Sequence, residues 1–369
     1  MRRIRGETLA WRPVPAVESG MESIAVGSNR NPSMKTFALF PAVLMLAFGN
    51  VSAQETVDPA SPEPTTTRME TLVVSGNQPG PGLWRVSRDD HDLWILGTVS
   101  PLPKRMQWES GKVERLVARS QELLAQPSVT VSAKVGFFAR LALIPTALRA
   151  RNNPDGKPLQ EQVSAALYQR WLVQKKRYLG RSRSIEKRRP IMAATKLYEE
   201  ALDDNKLSER TRIWSVLRKS AKRNKVTMTV PMVTIEIADP KAALKEFATT
   251  TLEDEACFET TLTRLETDME NMKARANAWA VGDVQALLDL PHPDQRGVCA
   301  DALLATAVAE KRGMSDLRAQ LRARWLEAAD EALLKNESTV AVMAIESLLG
   351  DDGILAALRE RGYTVQAPE

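Results

Sequence analysis

Few residues in this sequence could hold a metal or activate a nucleophile. It has two histidines, His91 in a charged turn and His292 in a turn bounded by prolines. A catalytic zinc site takes about three protein ligands, usually including histidine. A nucleophilic serine needs a base beside it, and neither Ser100 nor Ser347 lies in a Gly-x-Ser-x-Gly sequence. The sequence therefore disfavours both a histidine-built metal site and serine hydrolase chemistry.

Ser100 nevertheless lies where a sheet would place a site. Residues 83–87 and 93–99 alternate apolar side chains on either side of a charged turn, which predicts a β-hairpin. The second strand ends in Gly97-Thr98-Val99-Ser100. A glycine at a strand end lets another group approach the backbone closely, and α/β sheets keep their sites at strand ends. We therefore expect the Ser100 side chain at the mouth of this strand.

Three segments of the sequence resemble the TraB/GumN family, which is related to the Tiki proteases. Leu-Trp-x-Val followed by Leu-Gly-Thr-Val lies within 83–99, Ala-Trp-x-x-Gly-Asp lies at 278–283, and a strand, turn, helix and short strand follow from 338 to 365. The resemblance implies an α+β domain over residues 83–369, with a small mixed β-sheet covered by many helices. It also implies that the strand ends at 97–100 and 344–347 lie close together, because the family builds one site from both.

The residues that form the family's metal site are replaced here. Ser100 stands where the family has a histidine three residues after Gly97. Gln126 stands in place of a glutamate at the next strand end, and Ala344 and Ser347 replace a second glycine and histidine. Serine and glutamine are poor zinc ligands. The resemblance therefore implies a degenerate site with no catalytic residue, no metal and no cofactor.

Two hypotheses about function follow, from different classes. The first is a catalytically silent family member that acts as a periplasmic binding or scaffolding module for an envelope protein or glycan. The second is a metal-dependent hydrolase or protease-like enzyme with a rebuilt active site. We favour the first, because three replacements in an intact frame indicate that metal binding is no longer required. Glu346 does not restore a ligand on this view, since strand neighbours point to opposite faces. We also expect the carboxylates at 253–255 to form a solvated helix face.

The composition is that of an ordinary globular protein, with 43% hydrophobic and 26% charged residues. The formal net charge is +5, of which +3 falls in residues 1–53 and +2 in the remainder. Such a charge produces a weak field and gives no argument for a nucleic-acid partner. Residues 170–189 are strongly basic, which indicates either a solvated helix end or a contact with an anionic membrane surface.

The first part of the chain predicts export. Residues 34–53 combine a lysine, an apolar run and a small-x-small ending at Ala53, the pattern of a cleaved signal peptide. Residues 1–33 are a mis-assigned start or a disordered leader, and residues 54–82 form a Pro/Thr/Gly-rich linker. Within that linker, residues 70–76 resemble the short box by which outer-membrane receptors contact TonB, although a stray β-prone piece or an edge strand is the preferred interpretation. We expect a periplasmic or secreted protein.

The sequence contains two cysteines, Cys257 and Cys299. In an exported protein such a pair favours a disulfide, with two buried reduced thiols as the alternative. Closing a loop of about forty residues stabilises a fold by on the order of 4 kcal/mol in the chain-entropy model.

Hydrophobic periodicity sets the predicted elements. Strands are predicted at 83–87, 93–99, 123–131, 226–237, 339–345 and 363–365. Helices are predicted at 106–119, 135–150, 159–178, 190–202, 211–222, 242–280, 314–335 and 353–361. The helix at 135–150 is apolar and is expected to be buried, with a surface-inserting helix as the alternative. Gly282 is expected to end a helix and Asp283 to cap the next one.

The export prediction has a direct test. We expect the protein isolated from expressing cells to begin at Gln54, because cleavage after Ala53 removes the signal peptide. Thiol titration under denaturing, non-reducing conditions should find no free cysteine. A mature protein that still carries Met34, or one with two free thiols, would contradict the interpretation.

Overall fold

The computed structural model describes residues 80–133, 136–154 and 156–368. The predicted leader, the signal peptide with its cleavage site after Ala53, and the segment at 70–76 lie outside these residues, as does the linker up to residue 79. The predictions about them therefore stay predictions.

In the described residues, ten strands form one main sheet and two short pairs. They are β1 Leu83–Arg88, β2 His91–Thr98, β3 Leu102–Pro103, β4 Glu122–Leu124, β5 Ser128–Ser132, β6 Leu207–Ser208, β7 Thr227–Thr229, β8 Met232–Glu236, β9 Ser338–Ala344 and β10 Thr364–Gln366. The main sheet has the order β10-β1-β2-β9-β4-β7. Its first pairs are antiparallel and its last three pairs are parallel. This arrangement is the small mixed sheet that the sequence predicts.

The centre of the sheet is the parallel pair of β2 and β9. Both strands are apolar along their buried lengths, as expected for strands covered on both faces. Their register places Thr98 opposite Ala344. Because β4 and β7 also run parallel to β9, the carboxyl ends of four strands meet at one edge of the sheet. The predicted proximity of the two strand ends is therefore confirmed.

Two predicted long strands are each divided in two. The strand predicted at 123–131 forms β4 and β5, and the one at 226–237 forms β7 and β8. A proline, Pro127 or Pro231, lies at each break, and proline has no N–H to donate to a ladder. β5 and β8 then pair with each other outside the main sheet. The two segments that leave β4 and β7 therefore continue side by side as a separate two-stranded sheet.

Helices account for most of the remaining structure. They are α1 Gly111–Arg119, α2 Phe137–Ala150, α3 Ala165–Tyr178, α4 Pro190–Asp204, α5 Ile213–Asn224, α6 Pro240–Thr249, α7 Glu255–Thr267, α8 Met269–Val281, α9 Val284–Asp289, α10 Gln295–Leu304, α11 Ala307–Glu310, α12 Leu317–Lys335, α13 Ile345–Leu348 and α14 Ile354–Glu360. The fold class is α+β, as predicted.

Helix boundaries differ from prediction where capping residues interrupt an apolar pattern. The helix predicted at 106–119 begins only at Gly111, and the long helix predicted at 242–280 is α6, α7 and α8. Asp268 ends α7 and begins α8. Gly282 ends α8 with a φ of 76°, and the Asp283 side chain accepts from the Ala286 N–H at 2.9 Å, both as predicted.

The side chains pack into two main clusters. The first joins the sheet to α1, α5, α8, α12 and α14, and the second joins α3, α4 and α7. A small third cluster surrounds the Cys257–Cys299 disulfide, which links α7 to α10 and confirms the predicted pair. The helices thus have a core of their own in addition to the one they share with the sheet.

The prediction that helix 135–150 is buried is wrong. Helix α2 contacts α6, yet most of its described side chains are exposed. Its apolar sequence is typical of a core helix, but among the described residues α6 is the one element against which it packs extensively. Among the described residues, no helix is long and apolar enough to cross a membrane.

Arg189 joins the ends of several helices. Its buried guanidinium donates to the carbonyls of Ala150, Phe247 and Thr250 at 2.7–3.1 Å. These carbonyls end α2 and α6, where helices leave acceptors unpaired and carry partial negative charge. Burial lowers the pKa of Arg189, and the nearby Asp254 opposes that shift. Asp254 is itself buried and accepts from the Ile191 N–H, so the prediction that 253–255 form only a solvated face is wrong at this residue.

We expect Arg189→Met to lower the free energy of unfolding by about 2–5 kcal/mol, because several buried carbonyls lose their donor. Urea denaturation followed by circular dichroism measures this change. Arg181→Met is the matched control, since Arg181 is exposed. Equal effects of the two substitutions would contradict the structural role of Arg189.

Candidate functional site

Gly97 is held between two tryptophans at the end of β2. Its carbonyl accepts a buried hydrogen bond of 2.7 Å from the Trp279 indole. A Cβ on Gly97 would lie 2.6 Å from a ring carbon of Trp84. The close approach expected at this glycine is therefore made by side chains of the protein, and it fixes α8 against the end of the strand.

A hydrogen-bonded chain connects the ends of three strands. The Gln126 amide donates to the Thr98 hydroxyl at 3.1 Å, and Thr98 donates to the Met343 carbonyl at 3.2 Å. Because β9 lies between β2 and β4, the Gln126 side chain reaches across the end of β9. The structure thus brings the predicted position Gln126 to the end of β2, where its amide serves as a donor.

Ser100 contacts an arginine that the sequence analysis did not identify. The Arg296 guanidinium donates to the Ser100 hydroxyl at 2.7 Å and to the Glu209 carboxylate at 2.9 Å. The Ser100 hydroxyl in turn points at the Glu209 backbone carbonyl, 3.5 Å away. A cation therefore lies within hydrogen-bond distance of the residue that replaces the expected histidine.

The charge of Arg296 is balanced by two carboxylates. Partial burial disfavours the charged form, but Glu209 and Glu346 outweigh it and raise the pKa of Arg296. The guanidinium therefore stays charged at every physiological pH. Neighbouring Tyr198 is buried, its hydroxyl has no partner among the described residues, and burial raises its pKa to about 12.

The position of Arg296 is set by its neighbour in the chain. Gln295 is buried, accepts from Arg264 at 3.0 Å and donates to the Thr261 hydroxyl at 2.9 Å. Asp294 caps the same helix by accepting from the Gly297 N–H at 2.8 Å. These contacts fix the first turn of α10 on α7, and Arg296 projects from that turn toward the strand ends.

The second predicted ligand position is not on a strand. β9 ends at Ala344, and residues Ile345–Leu348 form the helical turn α13. Ala344 offers no donor atom, and Ser347 is exposed on the turn. Since Glu346 also lies on this turn, the argument that it points to the opposite face of a strand is wrong. Its carboxylate instead acts on Arg296.

Neither histidine hydrogen-bonds to a residue of the strand-end cluster within the described part of the chain. His91 begins β2, at the opposite end of the strand from Thr98, and its Nδ1 lies 2.7 Å from the Leu333 carbonyl. The Nε2 of His292 lies 2.6 Å from the Leu287 carbonyl. His91 is thus a strand residue, although the sequence placed it in a turn, and both rings are used in local contacts.

The residues at the strand ends do not fit a catalytic metal. The Ser100 hydroxyl accepts from a guanidinium, the Gln126 amide donates to Thr98, and Ala344 has no ligand atom. In the part of the chain that the structure describes, no group of three or more His, Cys, Asp or Glu is placed to hold a metal ion. A cation brought to Ser100 would also be repelled by Arg296.

A small cavity lies next to this cluster, between β3 and the first turn of α5. It has a volume of about 90 Å³, and its walls include Lys104, Trp108, Ser208 and Arg210. No sequence pattern marks Arg296 or Glu209 as site residues, because neither belongs to a motif and only the tertiary fold brings them to Ser100.

The sequence model of the TraB/PrgY/gumN family matches residues 82–367, which is more than half of the chain. Neither a curated protein nor a solved structure gives a significant match.

We expect Trp279→Phe to lower the free energy of unfolding by about 1–3 kcal/mol more than Trp214→Phe, because only the first substitution leaves a buried carbonyl unpaired. Trp214 is a suitable control, since it is partly buried against the same core. Chemical denaturation of both variants tests this difference. Equal destabilisation by the two substitutions would show that the Trp279 indole stabilises the fold through its packing volume and not through its hydrogen bond.

Proposed function

The chain belongs to the TraB/PrgY/gumN family, and we propose that it is an exported member that has lost the family's metal-dependent hydrolase site. In this proposal it acts in the periplasm, or outside the cell, as a binding or scaffolding module. One observation carries the proposal: the Arg296 guanidinium donates to Ser100 at 2.7 Å. A fixed protein cation lies beside the residue that replaces the family's first histidine.

The loss of catalysis rests on the chemistry of the cluster. Ser100 is hydrogen-bonded to a guanidinium, which cannot act as a base toward a serine hydroxyl. The Glu209 carboxylate is engaged by the same guanidinium at 2.9 Å. The charges of Arg296, Glu209 and Glu346 therefore form one polar surface at the strand ends, suited to binding.

Export is supported by the pattern at residues 34–53 and is compatible with the Cys257–Cys299 disulfide. We propose an envelope protein or a glycan as the partner, and no nucleic acid. A pull-down from periplasmic extract with the mature protein would identify it.

A contact between residues 170–189 and an anionic membrane surface remains a weaker proposal, because several of these cations have partners inside the protein. Arg170 pairs with Glu266 at 2.7 Å, and Lys175 pairs with Glu186 at 2.5 Å.

The alternative is a metal-dependent hydrolase or protease-like enzyme with a rebuilt site. Glu209 and Glu346 favour it, since both carboxylates act on Arg296 at the strand ends although neither is a family ligand position. The metal content of the purified protein separates the two proposals, because a binding module requires no bound metal and a metal-dependent enzyme does.

We expect wild-type protein, purified without chelators, to contain well below one equivalent of zinc or manganese per protein molecule. Inductively coupled plasma mass spectrometry measures the metal content. Ser100→His with Ser347→His should still bind zinc weakly, because Arg296 repels the ion and Gln126 gives no carboxylate. Adding Gln126→Glu and Arg296→Ala should tighten zinc binding by about ten-fold or more, since both the ligand set and its surroundings then improve.

The control variant carries Ser100→His, Ser347→His and Gln126→Glu together with Arg181→Ala instead of Arg296→Ala. It removes one positive charge far from the strand ends, so it should not tighten zinc binding as Arg296→Ala does. Stoichiometric metal in the wild-type protein, removed together with an activity by a chelator, would overturn the proposal in favour of the enzyme.

A further inference from the structure

Helix α2 exposes a continuous apolar stripe. Phe138 is 82% exposed, Leu141 48%, Ile144 39% and Leu148 51%. With Pro145, these residues follow a spacing of three and four along the helix, so they lie on one side of it. Exposed apolar patches of this kind mark interaction surfaces.

The opposite side of the helix is the one that packs. Leu143, Thr146 and Ala147 are half-buried and Ala150 is buried, and α2 contacts α6. Most of these residues are small, so α2 lies close to α6, and its larger side chains point away. The apolar stripe is thus presented outward by a helix that is itself fixed at its end through Arg189 and the Ala150 carbonyl.

The surface around the stripe is basic. The sequence of α2 contains two arginines and no acidic residue, and a third arginine, Arg151, follows it as the C-cap. Arg149 and Arg151 at its end form no ion pair with a described residue. Arg188 lies near them, since it forms an isolated β-bridge with Asn152. Burial lowers the pKa of Arg188 and the charge of Arg151 lowers it further, while Glu199 opposes the shift. Positive charge therefore accumulates at the end of the stripe.

An apolar stripe with basic residues at its end can be covered by a second copy of the chain or by a lipid surface, and the charges distinguish between the two. A second copy would place the same patch against itself across a two-fold axis, and α2 has no acidic residue that could pair with the arginines of its partner. An interfacial helix, in contrast, buries apolar side chains between lipids while basic residues contact anionic headgroups. Charge complementarity thus favours a lipid surface over self-association.

We propose that α2 docks the protein on an anionic membrane surface, with Phe138, Leu141, Ile144 and Leu148 inserted among the lipids and Arg149, Arg151 and Arg188 at the headgroups. The proposal does not depend on the chemistry of the strand-end cluster. It gives the exposed apolar side chains a place to be buried without requiring a membrane-spanning segment.

A fluorescent probe on the helix tests the proposal locally. Ala142 is exposed within the same helix, so Ala142→Cys in the full chain can be labelled with an environment-sensitive dye while Cys257 and Cys299 stay paired. We expect a blue shift of its emission with vesicles of equal phosphatidylglycerol and phosphatidylcholine, and little change with phosphatidylcholine alone. The matched control is a label on Val173→Cys, which lies on α3 and is 66% exposed.

The response has to depend on both the stripe and its charges. In the labelled protein, Leu141→Gln with Leu148→Gln should weaken vesicle binding by about ten-fold or more, because two apolar side chains no longer insert. Arg149→Gln with Arg151→Gln should weaken it by about five-fold for each arginine. Circular dichroism should show all variants folded, since every substituted side chain is at least partly exposed.

Several outcomes would overturn the proposal. One is no shift at residue 142, or an equal shift at residue 173. Another is equal binding to neutral vesicles. A shift that appears without vesicles and grows with protein concentration would assign the stripe to a second copy. If Arg181→Gln with Arg183→Gln weakens binding as much as the Arg149 and Arg151 pair, the basic segment around residues 181–183 makes the contact instead.

Discussion

The structure depends on one buried hydrogen bond, from the Trp279 indole to the Gly97 carbonyl. β2 reaches its end there, and a buried carbonyl must be paired. The same solution recurs at β4, where the Trp325 indole donates to the Ala125 carbonyl at 3.1 Å. Two helices, α8 and α12, are thereby fixed to the carboxyl edge of the sheet, and every residue of the strand-end cluster is placed relative to that edge.

The cluster at this edge shows how a site can keep its frame and change its chemistry. Strand order and register still bring together the ends of β2, β9 and β4. The side chains there now hydrogen-bond to one another, with Gln126 reaching Thr98 and Arg296 reaching Ser100. The Arg296 guanidinium lies beside Ser100 and is paired with the Glu209 carboxylate, so the edge carries its own cation where a metal-binding site would leave its ligands free.

Buried charge is used elsewhere to join helices. Arg189 collects carbonyls from the ends of α2 and α6, and Asp268 accepts from Arg275 at 2.6 Å where α7 meets α8. Arg189 pairs carbonyls that helix ends leave without a donor, whereas Asp268 pairs with an arginine side chain of α8. With two helix ends fixed in this way, α2 can remain at the surface with most of its apolar side chains outside any core.

The sequence by itself determined the family, the hairpin of β1 and β2, the final strand and helix, and the cap formed by Gly282 and Asp283. These features depend on local patterns and on residues close together in the chain. The cysteine pair was also predictable, because the sequence contains no other cysteine to compete with it. The breaks at Pro127 and Pro231 were visible in principle, since proline interrupts a ladder.

Only the tertiary structure decided the rest. The contact of Arg296 with Ser100 joins residues 196 positions apart, and no local pattern encodes such a distance. The burial of Asp254 and the exposure of α2 depend on which neighbours the fold supplies, and hydrophobicity alone does not specify a neighbour. The expectation for Glu346 was wrong for a similar reason. β9 ends at Ala344 and α13 begins at Ile345, so Glu346 lies on a helical turn and the alternation of side chains along a strand does not apply to it.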